Sequence, residues 1–183
     1  MVKVDRKKRV KVLLREFADP RHSLMKTLTK ANPLVRGVQN RLGEHLQLQL
    51  ATTKEVTVKP ACIIREGASK TSLHCRPNYY GHPRFDFATV EIGGVTRIVS
   101  LCCFLEIDIN KQRHLLAGVE ELQHIQQHPI LLVPKLRGKG VLDFVPIHLL
   151  QGLSPVIRDM SQPGTYFENT YFAEFEQREY DPE

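Results

Sequence analysis

The chain has no apolar run of the roughly 18 residues that a membrane-spanning helix requires, so no membrane span is expected. No apolar h-region follows the basic N-terminus, which argues against a secretory signal, and Asp5 and Glu16 interrupt any mitochondrial presequence. Cysteine is scarce: Cys62, Cys75, Cys102 and Cys103 have no disulfide-framework spacing, and they read as free, mostly packed thiols in a reducing compartment. Internal repeats and low-complexity tracts are absent. What remains is 183 residues, 42% of them hydrophobic, enough for one domain or a small domain with an appended arm.

Charge is unevenly placed. Residues 1–76 carry 17 Lys/Arg against 6 Asp/Glu, net +11, whereas residues 77–183 carry 9 against 14, net −5. A basic first half argues for an anionic partner, of which nucleic acid is the commonest. The end of the chain is acidic and reads as a solvated tail over 173–183.

Residues 5–18 read as an amphipathic helix. Val10, Leu13, Leu14 and Phe17 make one apolar stripe, Lys7, Lys11 and Arg15 a basic one, Asp5 caps the start and Pro20 ends it. Ser23 caps a second short helix, and Leu34, Val38, Leu42 and Leu46 suggest a third with Pro33 in its first turn. Leu46, Leu48 and Leu50 then alternate as a strand, answered by Val56-Thr57-Val58. From about residue 71 the chain is β-rich. Arg84–Ile92 is strand-like, Gly93-Gly94 is a two-residue hairpin turn, and Val95–Ile109 is a long strand with room for a bulge. Further strands are expected at His114–Leu122, Ile130–Leu136, Leu142–Leu149 and Tyr166–Phe172, with Lys135–Gly140 as a basic loop. Short strands separated by turns suggest a small barrel or sandwich.

The segment from His74 to Phe87 combines turn residues, aromatic mass and an Arg/Asp pair. In it, His74, Pro77, Tyr79, Gly81, Pro83, Arg84, Phe85 and Asp86 are spaced as in a segment of the C-terminal region of large eukaryotic transposases. Residues 70–172 resemble that region of the Kyakuja–Dileera–Zisupton group, which includes the fungal Plavaka elements. The apolar strand Ile98–Phe104, the run Leu115–Val119, and the Val-Pro pairs at 133–134 and 145–146 continue the resemblance. In that family, catalysis belongs to an RNase H-like core upstream, for which this chain has no room. The resemblance thus implies transposon ancestry rather than a present activity.

Four chemistries are open to these residues. Asp86, Glu91, Glu106 and Asp108 lie on or near adjacent strands, but two-metal nucleases need carboxylates converging on ions about 4 Å apart. An Arg84–Asp86 pair, with Glu106 and Asp108 facing solvent, explains the same residues. Cys62, His74, Cys75 and His82 fall close together without the two close pairs of a structural zinc site. Cys102 and Cys103 sit in an apolar strand, where burial makes a thiol inert. His124 and His128 are four apart, a helical metal spacing, but Pro129 favours a loop. The basic cluster is best supported: Lys3, Arg6, Lys7, Lys8, Arg9, Lys11 and Arg15 form a phosphate-binding patch or a nuclear-localisation signal. It lacks interleaved aromatics, so contact with phosphates rather than base stacking is expected.

The sequence therefore predicts an α+β protein: a basic helical arm over 1–45, a β-rich, barrel-like domain over 46–172, and the acidic tail. No catalytic residue, metal or cofactor is expected. The expected role is a noncatalytic, transposase-derived accessory domain contacting DNA or chromatin, nuclear or otherwise cytoplasmic. The alternative is a protein-interaction module whose arm only localises it, and a metal-dependent nuclease ranks last.

Overall fold

The computed structural model describes residues 3–4, 30, 32–36, 38–46, 57–61, 63–65, 72–80, 82–109 and 112–170. These are dominated by antiparallel β-sheet, with few helical residues. Helix α1 spans Val38–Leu46 and is preceded by a 3-10 turn at Pro33–Val35; Lys30 is also helical. The single helix expected from Pro33 to Leu46 is thus divided, because Arg36 is extended (φ −61°, ψ 132°). This helix carries one arginine and one glutamate and is not a basic element. The expected basic helix over 5–18 lies outside the described residues, as do the tail and the alternating leucines 48 and 50.

Twelve strands are described. β1 (Lys3–Val4), β3 (Ile63–Arg65), β4 (Ser72–Tyr79) and β5 (His82–Phe85) form a four-stranded sheet in the order β1-β3-β4-β5. The larger sheet has the order β10-β6-β7-β8-β9-β12-β11. Its members are β6 (Phe87–Ile92), β7 (Val95–Ile109), β8 (Gln112–Gln127), β9 (Pro134–Pro146), β10 (Leu150–Leu153), β11 (Val156–Arg158) and β12 (Thr165–Glu168). β2 (Thr57–Ala61) pairs with the second half of β7, and β6 with the first half. An edge position suits β2, since Pro60 has no N–H to donate.

The long meander β7-β8-β9 is the frame. Its β-branched and leucine-rich strands put Phe104, Leu101, Leu105 and Ile107 at 1% exposure or less. Burying each such side chain contributes about 1.5–3 kcal/mol. Gly93 (φ 60°) and Gly94 (φ 76°) make the β6–β7 turn, both in the left-handed region that a type I′ hairpin needs. The expected bulge in β7 falls at Cys102: Leu101 pairs with Val119 and Cys103 with Gly118, leaving Cys102 as the extra residue. Val35, Val38 and Leu42 join the same core cluster as the meander, so α1 is packed on the sheet.

The expected barrel does not close. The sheet curls until its ends approach: the Phe87 ring on β6 meets the Tyr166 ring on β12 at 5.1 Å, edge to face. β10 ends and β11 begins two residues apart in sequence, yet no ladder joins them among the described residues. Ser154-Pro155 links the two strands. Ser154 N–H donates to Phe87 O (2.9 Å), carrying the β10–β6 pairing one residue further, and Pro155 has no N–H.

Candidate functional site

Three groups of residues on this frame have the geometry of a site. The first is the junction between the two sheets. Asp86 separates β5 from β6, so the strand expected across 84–92 is two strands. Its N–H donates to His74 O (3.0 Å), continuing the small sheet, and its C=O accepts from Leu101 N–H (3.0 Å), starting the large one. The side chain clamps the corner. Oδ2 accepts from the His74 N–H (2.8 Å) and contacts the His74 ring Nδ1 (2.9 Å), while Oδ1 accepts from Arg84 Nε (3.0 Å). Both carboxylate oxygens of Asp86 are engaged in this clamp, which fits a structural corner better than a metal ligand.

The other motif residues spread out. Phe85 is buried, His82 and Pro83 are exposed, and Tyr80 is 90% exposed with φ 49°. Pro77 and Tyr79 lie on β4, whose register with β5 shifts between Arg76 and Tyr79. Gly81 lies outside the described residues. The carboxylates weighed as a nuclease do not act as a set: Glu91 accepts from Gln151 (2.7 Å), and Glu106 pairs with Arg113 (2.9 Å). Glu106 was expected to face solvent but is 3% exposed, because β2 and β8 flank β7 there. Of the zinc candidates, Cys62 is outside the described residues and Cys75 is buried. Among the described residues no group of three His, Cys, Asp or Glu could hold a metal ion. Burial pushes the Cys103 thiol up to about 12 and the Cys102 thiol also far up, so both stay protonated at neutral pH. Of the arm, Lys3 lies on β1, with Lys3 opposite Arg65 of β3. Arg6, Lys7, Lys8, Arg9, Lys11 and Arg15 lie outside the described residues.

The second group is a pair of clefts beside α1. One, of about 420 Å³, lies between Arg41, Glu44 and His45 on α1 and Arg97, Glu121 and Asp143 on the sheet. Glu121 holds Arg97 (2.9 Å) and Lys139 (2.9 Å) there. Burial alone would raise its carboxyl, but Lys139 and Arg97 outweigh it and hold the group below the usual range. The other, of about 400 Å³, brings His45, His114 and His148 together with Arg113. Burial lowers the pKa of His45, reinforced by His114 and opposed by Asp143.

The third group was missed in the sequence. Ile130–Leu132, read there as the start of a strand, is the turn between β8 and β9, and Lys135–Gly140, read as a loop, lies in β9. Ile130, Leu131 and Leu132 are 83%, 55% and 61% exposed at the tip. Leu132 has φ 54°, a conformation costing a bulky residue on the order of 1–3 kcal/mol. His128 Nδ1 accepts from Ile130 N–H (3.3 Å) and Leu131 N–H (3.1 Å). Leu132 N–H donates to His128 O (2.9 Å), His128 N–H to Val133 O (2.8 Å), and Gln127 Nε2 to Leu132 O. The His128 ring packs edge-on against Phe167 of β12 (5.4 Å), and Lys135 Nζ lies 5.5 Å from the same ring. Lys135 is fixed in turn by Asp159 (3.1 Å) and Gln162 (2.8 Å). Ser161 hydrogen bonds, together with Lys135 and Thr165, hold the Asp159 carboxyl well below its usual range against a burial effect of opposite sign. The signal available in the sequence was Pro129 before four consecutive aliphatic residues, inside a stretch lacking acids.

No family model, no curated protein and no solved structure matches this chain.

Proposed function

We propose that this chain is a noncatalytic, transposase-derived accessory protein that contacts DNA or chromatin, with affinity supplied by a basic N-terminal helix and docking by the β-rich domain. The observation that carries the reading is the division of charge, net +11 over residues 1–76 and net −5 beyond. Support also comes from the pairing within the β domain. Arg84, Arg97, Arg113, Lys135 and Lys139 are each bound to a carboxylate of the same domain. Those cations are largely neutralised at home, whereas Lys3, Arg6, Lys7, Lys8, Arg9, Lys11 and Arg15 form a dense cluster in sequence. Each phosphate neutralised contributes about −0.9 to the slope of log K against log salt. The seven arm residues therefore predict a steep salt dependence, with little sequence preference from phosphate contacts alone.

A duplex-binding titration at several salt concentrations tests the reading. Binding that weakens steeply with salt and collapses when residues 1–18 are deleted supports it. No binding at low salt, or equal binding after the deletion, overturns it. The protein-interaction alternative draws on the exposed Ile130–Leu132 tip. It requires partners recovered from nuclease-treated extract and negligible duplex affinity.

A further inference from the structure

We propose that the cleft between the β7–β8 and β11–β12 strand pairs binds a free α-amino acid with an apolar side chain, its ammonium held by Glu120 and its carboxylate by Arg158. This site is separate from the basic arm and from the clefts beside α1, and it is independent of the nucleic-acid reading.

Cross-strand register builds the floor. Ser100 on β7 stands opposite both Phe87 on β6 and Glu120 on β8, so these three side chains share one face of the sheet. The curl of the sheet brings β12 to that face, where the Phe87 and Tyr166 rings meet. Arg158 on β11 stands opposite Tyr166 and arrives with it. Between them lies a cleft of about 400 Å³ lined by Ser100, Glu120, Arg158 and Tyr166, with Pro33 and Phe85 among its apolar walls. Its size falls within the range of about 300–1,000 Å³ for small-molecule sites.

The polar groups of the cleft have bonding capacity that the described residues do not use. Ser100 is 8% exposed, and its hydroxyl makes no hydrogen bond to a described residue. Buried hydroxyls are ordinarily bonded, so Ser100 calls for a polar occupant. Glu120 Oε1 accepts from Gly140 N–H (2.9 Å), while Oε2 has no donor among the described residues. Arg158 is exposed and pairs with no described carboxylate. Asp159, the other acid in the cleft, is already held by Lys135, Ser161 and Thr165. Burial raises the pKa of Tyr166, Glu120 adds to this and Arg158 opposes it, so both charges act on the phenol from within the cleft.

The pattern of charge selects the occupant. Glu120 and Arg158 line one cleft without pairing with each other. A simple anion there would face the Glu120 carboxylate, and a simple cation would face the Arg158 guanidinium. A molecule with both charges a few bonds apart satisfies both, and an α-amino acid has them at neutral pH. The planar guanidinium matches its carboxylate, and the Ser100 and Tyr166 hydroxyls supply further donors.

The test uses the full chain in calorimetry at pH 7 with three probes: L-leucine, L-leucinamide, which lacks the carboxylate, and 4-methylpentanoate, which lacks the ammonium. Leucine is expected to bind with a dissociation constant at or below about 1 mM. Each analogue is expected to bind at least about tenfold more weakly, the loss of one charge-assisted pair. Arg158→Gln is expected to bind leucine and leucinamide alike, and Glu120→Gln to bind leucine and 4-methylpentanoate alike. Both comparisons set two ligands against one protein, so a general loosening of the fold does not mimic them. No saturable heat from leucine at about ten times the millimolar constant overturns the site. So does equal affinity of the wild type for leucine and either analogue, or discrimination unchanged in both variants. Salt-dependent duplex binding without leucine binding overturns the site and leaves the arm reading standing; leucine binding without duplex affinity does the reverse.

Discussion

Asp86 and His74, twelve residues apart, are joined three times: by a main-chain bond of 3.0 Å, by a main-chain N–H to the carboxylate at 2.8 Å, and by the ring to the carboxylate at 2.9 Å. The triple link sits where the small sheet hands the chain to the large one. A corner of this kind concentrates stability, because losing the carboxylate leaves a part-buried N–H without an acceptor.

Asp86→Ala is therefore expected to destabilise the fold by about 2–4 kcal/mol, the range for removing one partner of a buried, charge-assisted set. Asp86→Asn keeps one acceptor oxygen and is expected to lose less. Urea unfolding of the three proteins measures this. Equal stability of wild type and Asp86→Ala would show that the clamp is incidental to the corner.

Gly118 and Cys103 face each other across β7 and β8. A Cβ at 118 would stand 2.5 Å from Cys103 Sγ, but 3.3 Å from Phe144 and 3.4 Å from Leu142. The sulfur is thus the hard obstacle and the other two can yield. Gly118→Ala is expected to cost about 1–3 kcal/mol by overpacking. Cys103→Ala should relieve part of it, so that the double variant is more stable than the sum of the single effects allows. Strict additivity in a double-mutant cycle would refute the contact.

The neighbouring thiols give a chemical prediction. Burial raises Cys103 to about 12 and Cys102 well above the ordinary range. Since the thiolate is the reactive form, alkylation of both in the native protein at pH 8 is expected to be at least about a hundredfold slower than that of a free thiol. Peptide mapping after iodoacetamide treatment, with and without denaturant, reads the ratio. Rapid native labelling of Cys102 would mean that the bulge opens to solvent.

Local signals were legible where local chemistry decides. Gly93-Gly94 could be read as a turn because two positive φ angles demand glycine, and Val95–Ile109 because β-branched residues suit a long strand. The elements that long-range contacts decide were not legible. Ile130–Leu132 has the composition of a strand, yet the β8–β9 register makes it a turn whose bonds come from a histidine ring. Glu106 looks like a surface acid until β2 and β8 pair on either side of it and Arg113 reaches its carboxylate. Closure of a barrel depends on whether the two end strands pair, which the local pattern of β10 and β11 does not encode. The spacing of Arg84 and Asp86 makes their pairing legible, but its third member, His74, is not, because no spacing rule links positions 74 and 86.

His45 links acidity to the seating of α1. Its ring lies 6.2 Å from that of Phe144 on β9, and burial lowers its pKa, with His114 reinforcing and Asp143 opposing. A base whose folded pKa lies below its unfolded value of about 6.5 binds more protons when unfolded. Stability then rises with pH through the window below 6.5, is complete above it, and is lost as the pH falls from 6.5 toward the folded value. Unfolding free energy is expected to be lower at pH 5.5 than at pH 8, and His45→Gln should flatten part of that slope. His114 and His148 line the same cleft, so the His45→Gln and wild-type profiles must be compared rather than either read alone. Parallel profiles across pH 5–8 would remove His45 as a source of the dependence and leave the helix seated by Val38 and Leu42 alone.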